Sequence, residues 1–220
     1  TLFPYTMLFR STLTYNRGQK IGDDIRVVND YCAPFVLLDG ATIRHLKVKG
    51  EIYTFHKYAA GIASLVNCSQ AATVISDCHV SSPLYGASSL SADACFGGIV
   101  ANVLPTSTVD IEITDCTFSG RILGTVTNSS GMVGMTNRAI QFESCIFDPQ
   151  ELTSEDGSPA TFVRMASGVT CTFDECYYTK PYGTVQGSIV LLRNGIGAFG
   201  MLAMIYLTLP PLLSLLLLLD

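Results

Sequence analysis

A single phrase returns five times along this chain. It reads apolar, polar, polar, Cys or Leu, any residue, apolar, and a turn leading to another apolar residue follows. The copies are Ile43-Arg44-His45-Leu46-Lys47-Val48, Ile75-Ser76-Asp77-Cys78-His79-Val80, Ile113-Thr114-Asp115-Cys116-Thr117-Phe118, Phe142-Glu143-Ser144-Cys145-Ile146-Phe147 and Phe173-Asp174-Glu175-Cys176-Tyr177-Tyr178. Successive copies begin 32, 38, 29 and 31 residues apart. A period in that range marks a stacked repeat architecture, because one such unit cannot bury its apolar face alone.

Each unit offers three short apolar segments. The first is the phrase itself, extended two residues upstream by Ala41, Thr73, Ile111, Ile140 and Cys171. Period-two alternation puts that position on the same face as the opening apolar residue of the phrase. Two polar residues then break the alternation at a bend, and Cys or Leu resumes the inward side. A second segment starts at Ile52, Leu84, Ile122, Leu152 and Tyr182, after turn formers such as Gly50, Pro83, Gly120, Pro149 and Pro181. The third is a glycine-apolar phrase, Gly61-Ile62-Ala63, Gly98-Ile99-Val100 and Gly131-Met132-Val133, weakening to Thr161-Phe162-Val163 and Ser188-Ile189-Val190. Three strands per unit with no helical period describe one coil of a parallel β-helix, in which equivalent residues stack as ladders. An antiparallel sandwich is the rival, and it would not require one register in every unit.

Three regions follow. Residues 1–32 lack the repeat, and 1–11 resemble a translated sequencing-adapter read, so they support no fold expectation. Residues 33–195 form the repeat domain. From Ile196 to Leu219 run 24 consecutive uncharged residues, long enough to cross a bilayer core. That run allows three readings: a membrane anchor, a frame-shifted or misassembled end, and a hydrophobic cap on the stack. Pro210-Pro211 would kink or interrupt a helix there, which weakens the membrane-anchor reading but leaves it standing. The chain opens on Thr1, and a longer native protein is expected. A net charge of −5 over 220 residues argues against nucleic acid, whose phosphates call for a basic face.

The units resemble the GLUG-type and related right-handed β-helix repeats of bacterial surface proteins, especially those of gut anaerobes. The family pattern runs Gly-Gly-Ile-Val-Gly, a few residues, then Ile-x-Asn-Cys-x-Val-x-Gly-x-Ile-x-Gly. Here Gly97-Gly98-Ile99-Val100-Ala101 precedes Ile113-Thr114-Asp115-Cys116-Thr117-Phe118-Ser119-Gly120-Arg121-Ile122-Leu123-Gly124. Residues 60–86 and 131–147 match less completely. The resemblance implies an all-β, right-handed parallel β-helix of about five coils in a secreted or surface-exposed, adhesin-like protein. It brings no catalytic residues. The alternatives are a polysaccharide-active enzyme of the pectate-lyase-like type and a phage tail-spike-like glycan-binding module.

No Cys-x-x-Cys pair occurs among the eight cysteines, which argues against zinc. Cys78, Cys116, Cys145 and Cys176 share one inward column and read as small apolar packing residues. Neighbouring rungs lie within disulfide range, so Cys78–Cys116 and Cys145–Cys176 bridges stay open; Cys68 and Cys95 fall outside the column. The bend stacks Asp77, Asp115, Glu143, Asp174 and Glu175 along one outer edge. These acids read first as a solvated bend capping backbone groups, and second as a Ca²⁺ edge relieving their repulsion; no other cofactor is expected. Arg44 and Arg121 are the only basic hints of a lyase base. His45 and His79 flank the column and His56 lies in a loop, all read as solvated. Asn67-Cys68-Ser69 and Asn128-Ser129-Ser130 fit the glycosylation sequon. The longest loop, Tyr85 to Gly97, offers Tyr85 and Phe96 as sugar-stacking rings, and carbohydrate or a host surface is the expected partner.

Overall fold

Strands form where inward and outward residues alternate. In this computed structural model, which describes residues 11–17, 19–21, 24–26, 31–54, 57–86, 94–124, 128–152 and 159–190, Thr73–Ser76 and Ile111–Thr114 bury every second residue. Each strand pairs in parallel with its counterpart one unit later. Ile43, Ile75, Ile113, Phe142 and Phe173 therefore occupy one register in a first, five-stranded sheet. This parallel pairing of the phrase with its own copies excludes the antiparallel sandwich.

The second sheet holds the other half of the phrase. Leu46–Lys49, His79–Val80, Thr117–Phe118, Ile146–Phe147 and Tyr177–Tyr178 lie side by side, again in parallel. In the third sheet Ile52, Leu84, Ile122 and Leu152 are in register. A fourth sheet takes Tyr31–Cys32, Tyr58–Ala60, Cys95–Gly97 and Asn128–Ser130, and a fifth takes Phe35–Leu38, Ala63–Val66, Val100–Val103, Val133–Thr136 and Val163–Met165. The described residues contain no helix, and the antiparallel pairing among them is the small hairpin of Gln19–Ile21 with Asp24–Arg26. The architecture is all-β with parallel sheets, consistent with a parallel β-helix.

Three apolar segments per unit thus become five strands. The bend splits the repeat phrase between two sheets, and the glycine phrase is a corner between two more. Two further details depart from the sequence reading. Ser188–Ile189 does not continue the glycine phrase; it pairs with Tyr177–Tyr178 at the edge of the second sheet. The stack also begins earlier than the phrase, since Ser11–Thr14 lies parallel to Leu46–Lys49 and Arg17 bridges to Ile52. Contacts divide the chain into Thr1–Ile189 and Val190–Asp220, and all of these sheets belong to the first unit. The apolar run 196–219 and residues 1–10 lie outside the described residues.

The core lies between the inward columns. Ile75, Cys78, Val80, Leu84, Ile113, Cys116, Phe118 and Ile122 are all fully buried. Its aromatic share grows toward the later units, where Phe118 stacks on Phe147 at 6.0 Å and Phe142 on Phe173 at 5.3 Å. Such ladders match ring to ring between successive strands, the parallel-sheet form of cross-strand pairing. The last strand of the fifth sheet ends differently. Gln186, nearly buried, accepts from the Phe162 and Val163 N–H groups at 2.9 and 2.8 Å and donates to the Val163 carbonyl at 2.8 Å. Its amide stands in for the backbone of a further strand at Phe162 and Val163, satisfying those two N–H groups and the Val163 carbonyl.

Candidate binding surface

The bend between the first and second sheets is where the most polar side chains gather, and its backbone explains why. His45, Asp77, Asp115, Ser144 and Glu175 have φ of 56°, 49°, 52°, 52° and 47°, and among the described residues they are the non-glycines at positive φ. All five hold the same position of the repeat phrase. A left-handed residue costs about 1–2 kcal/mol, with Asp and Asn tolerated best because a short polar side chain bonds locally. The chain turns outward there and inward again at the following Cys or Leu. The result is a column of outward-facing polar groups at successive bends.

Within that column the first two members are tied together. His45 Nδ1–H donates to Asp77 Oδ2 at 2.5 Å, and His79 Nε2 lies 3.4 Å from Asp77 Oδ1. The hydrogen bond from His45, aided by both imidazoles, holds the Asp77 carboxyl below the usual carboxylate range against the opposing effect of its partial burial. Further along, Ser144 Oγ donates to Glu175 Oε2 at 3.4 Å. Residue offsets carried the signal for the first pair: His45 and Asp77 share a phrase position in consecutive units, and His79 follows Asp77 by two.

The expected acidic edge is distributed and does not converge. Asp77, Asp115 and Glu175 occupy the left-handed column, while Glu143 and Asp174 lie one residue earlier, in register with Thr114, Ser76 and Arg44. Among the described residues no three His, Cys, Asp or Glu side chains group as a metal site. Arg44 shares a column with Glu143 but stands three strands away, about 14 Å at the usual strand spacing; Arg121 lies in the third sheet, beside Gln150 and Glu151.

The two aromatic candidates separate. Phe96 is wholly buried, in register with Ala59 and Ser129, so its role as a sugar-stacking ring is overturned: alternation in Cys95–Gly97 turns it into the core. Tyr85 is half-exposed in Leu84–Gly86 and stacks face to face on Tyr53, with centroids 4.4 Å apart and planes 8° from parallel. One face of Tyr85 is therefore occupied by a protein ring. The Tyr53 hydroxyl donates to Glu51 Oε2 at 2.9 Å, and desolvation together with that acid pushes it up to about 12. Residues 87–93 of the long loop, and His56, lie outside the described residues.

The cysteine column is as expected in position. Cys78, Cys116, Cys145 and Cys176 are buried and carry free thiols. Each Sγ reaches the carbonyl two residues before it, at 3.3, 3.2, 3.3 and 3.2 Å. An open depression of about 640 Å³ at the end of the third sheet is lined by Glu151, Leu152, Pro159, Lys180 and Tyr182, among others. Its polar groups are already engaged: Lys180 Nζ donates to the Gln150 carbonyl at 3.1 Å, and the Tyr182 hydroxyl bonds Ser129 Oγ at 2.6 Å. No protein-family model matches the chain, and comparison with curated proteins and with solved structures returns no match.

Proposed function

We propose that this chain is a secreted or cell-surface bacterial protein, and that its parallel sheets wind as a right-handed β-helix of about five coils of the GLUG type. It acts as a non-catalytic, adhesin-like module that binds carbohydrate along its outer bend. One observation supports this reading above the others. The column His45, Asp77, Asp115, Ser144 and Glu175 repeats an outward polar group at five successive bends, each joined to the next by a backbone hydrogen bond, at a spacing of about 4.8 Å. A periodic array of hydrogen-bonding groups suits a periodic polymer better than a single small molecule.

The test is affinity electrophoresis of the full chain through gels carrying neutral dextran, polygalacturonate or mucin glycans. Retardation by one of these, lost in a His45→Ala, Asp115→Ala, Glu175→Ala triple variant, is the expected result. Equal mobility in every gel, or retardation that survives the triple substitution, would overturn the proposal. Growth of unsaturated-product absorbance with polygalacturonate and Ca²⁺ would replace it with the lyase reading.

A further inference from the structure

Six large apolar side chains stand exposed among the described residues, and they divide between the two ends of the sheets. Phe35, Val36 and Leu37 lie on Phe35–Leu38, the first strand of the fifth sheet. Met165 lies on the last strand of that sheet and Ile189 on the last strand of the second. Val185 sits between Thr184, which bridges to Ala160, and Gln186. The inward column of the first sheet shows the same contrast. Ile75, Ile113 and Phe142 are buried, while the terminal rungs Ile43 and Phe173 are only partly covered. Among the described residues no strand pairs with the outer edge of Thr42–Arg44 or of Thr172–Asp174. Each is a row of backbone donors and acceptors that can template a further strand. The charges on these two edges are opposite. The outward column of the first sheet runs Arg44, Ser76, Thr114, Glu143, Asp174, and the bend column runs from His45 to Glu175. Both begin on a basic side chain and end on a carboxylate, and all four of these residues are exposed. Asp174 is also in register with Glu143, a like-charge neighbour whose repulsion a cation on the open side of Asp174 would offset.

We propose that the two ends form an interaction surface for a second copy of this chain, which docks head to tail and continues the first sheet across the junction. Thr172–Asp174 of one copy then pairs in parallel with Thr42–Arg44 of the next, at one strand spacing of about 4.8 Å. That register puts Phe173 against Ile43 of the next copy, Asp174 beside its Arg44 and Glu175 beside its His45. In the fifth sheet Gln186 already satisfies the Phe162 and Val163 N–H groups. The junction there rests on apolar contact instead, with Phe35, Val36 and Leu37 covered by Met165 and Val185. Two different surfaces of one molecule meet, so the contact is heterologous and every added copy presents a new free end. Parallel strands that continue in one direction do not close a ring, and the product is an open stack that lengthens with concentration. The junction stands on the end strands and holds whatever ligand the outer bend binds.

The experiment follows the mass of the full chain by sedimentation velocity across a wide concentration range. The expected result is an average mass that rises with concentration past that of a dimer. Arg44→Asp or Asp174→Arg alone sets like charges across the junction and should weaken association about tenfold or more. Mixing these two variants should restore growth, because every junction between unlike copies again carries opposite charges. The doubly substituted chain should associate by itself for the same reason. Association through any other surface would ignore this exchange of charge. A chain that stays monomeric at every concentration, a dimer of fixed mass, association that survives either single reversal, or a mixture that does not recover would each overturn the proposal. Circular dichroism checks that each variant folds. Should a charge variant not fold, Val36→Lys reads the same junction from the fifth sheet: lost association supports the docking, and unchanged association counts against it.

Discussion

A β-carbon on Gly98 would stand 2.5 Å from the ring carbons Cγ and Cδ2 of Phe118. The same relation links Gly61 to Val80 and Gly131 to Phe147. The glycine of the third segment is therefore the floor on which the large residue of the second sheet rests. No positive φ is involved; the requirement is space. Gly98→Ala should destabilise by about 3 kcal/mol through overpacking, because its methyl also meets the Gly131 carbonyl at 2.5 Å. Denaturant unfolding checks this against Gly168→Ala, where nothing lies within 4 Å and only backbone strain remains. Equal losses in the two variants would refute the space argument.

The left-handed column predicts a reversal of ordinary preferences. Ser144, at φ 52°, should become more stable as Gly and less stable as Val. The expected size is up to about 1 kcal/mol of gain and about 1–2 kcal/mol of loss. Chemical denaturation of Ser144→Gly and Ser144→Val decides it, and a Val variant as stable as the native chain would contradict the assigned backbone.

Asp77 gives a pH signature. Its folded carboxyl lies below the unfolded value of 3.8, so its contribution is present above that pH and is lost as pH falls through the lower, folded value. The stability difference between the native chain and Asp77→Asn should therefore shrink between pH 6 and pH 3. Urea midpoints at both pH values measure it, and a difference that does not change with pH would dissociate Asp77 from His45 and His79.

Gln186 should matter more than its place near the edge of the fifth sheet suggests. Gln186→Ala leaves the Phe162 and Val163 N–H groups without their acceptor, at a cost of about 2–3 kcal/mol. Hydrogen exchange at those two amides should accelerate in the variant, and unchanged protection would show that another group satisfies them.

Much of this was legible in residue order. The columns Ile43 to Phe173 and Val48 to Tyr178 follow from counting offsets, because a parallel sheet in register converts sequence period directly into spatial neighbours. The cysteine column and the polar bend follow in the same way. Other features were not. Phe96 had the composition of a loop residue, yet strand alternation put it in the core. Gln186 carries no pattern at all, since it replaces a strand rather than belonging to one. Ser188-Ile189 matched the glycine phrase in type and still joined a different sheet, as a two-residue apolar pair fits any edge with unpaired backbone.

Residue order alone determined that this chain repeats, which residues share a column and where each unit bends. Those are local and periodic properties, set by apolar spacing and turn chemistry. The tertiary structure decided which columns face each other and what their side chains then meet: glycine beneath phenylalanine, imidazole on carboxylate, thiol on carbonyl. Such contacts depend on the path of the chain around each unit, and period along the sequence does not specify that path.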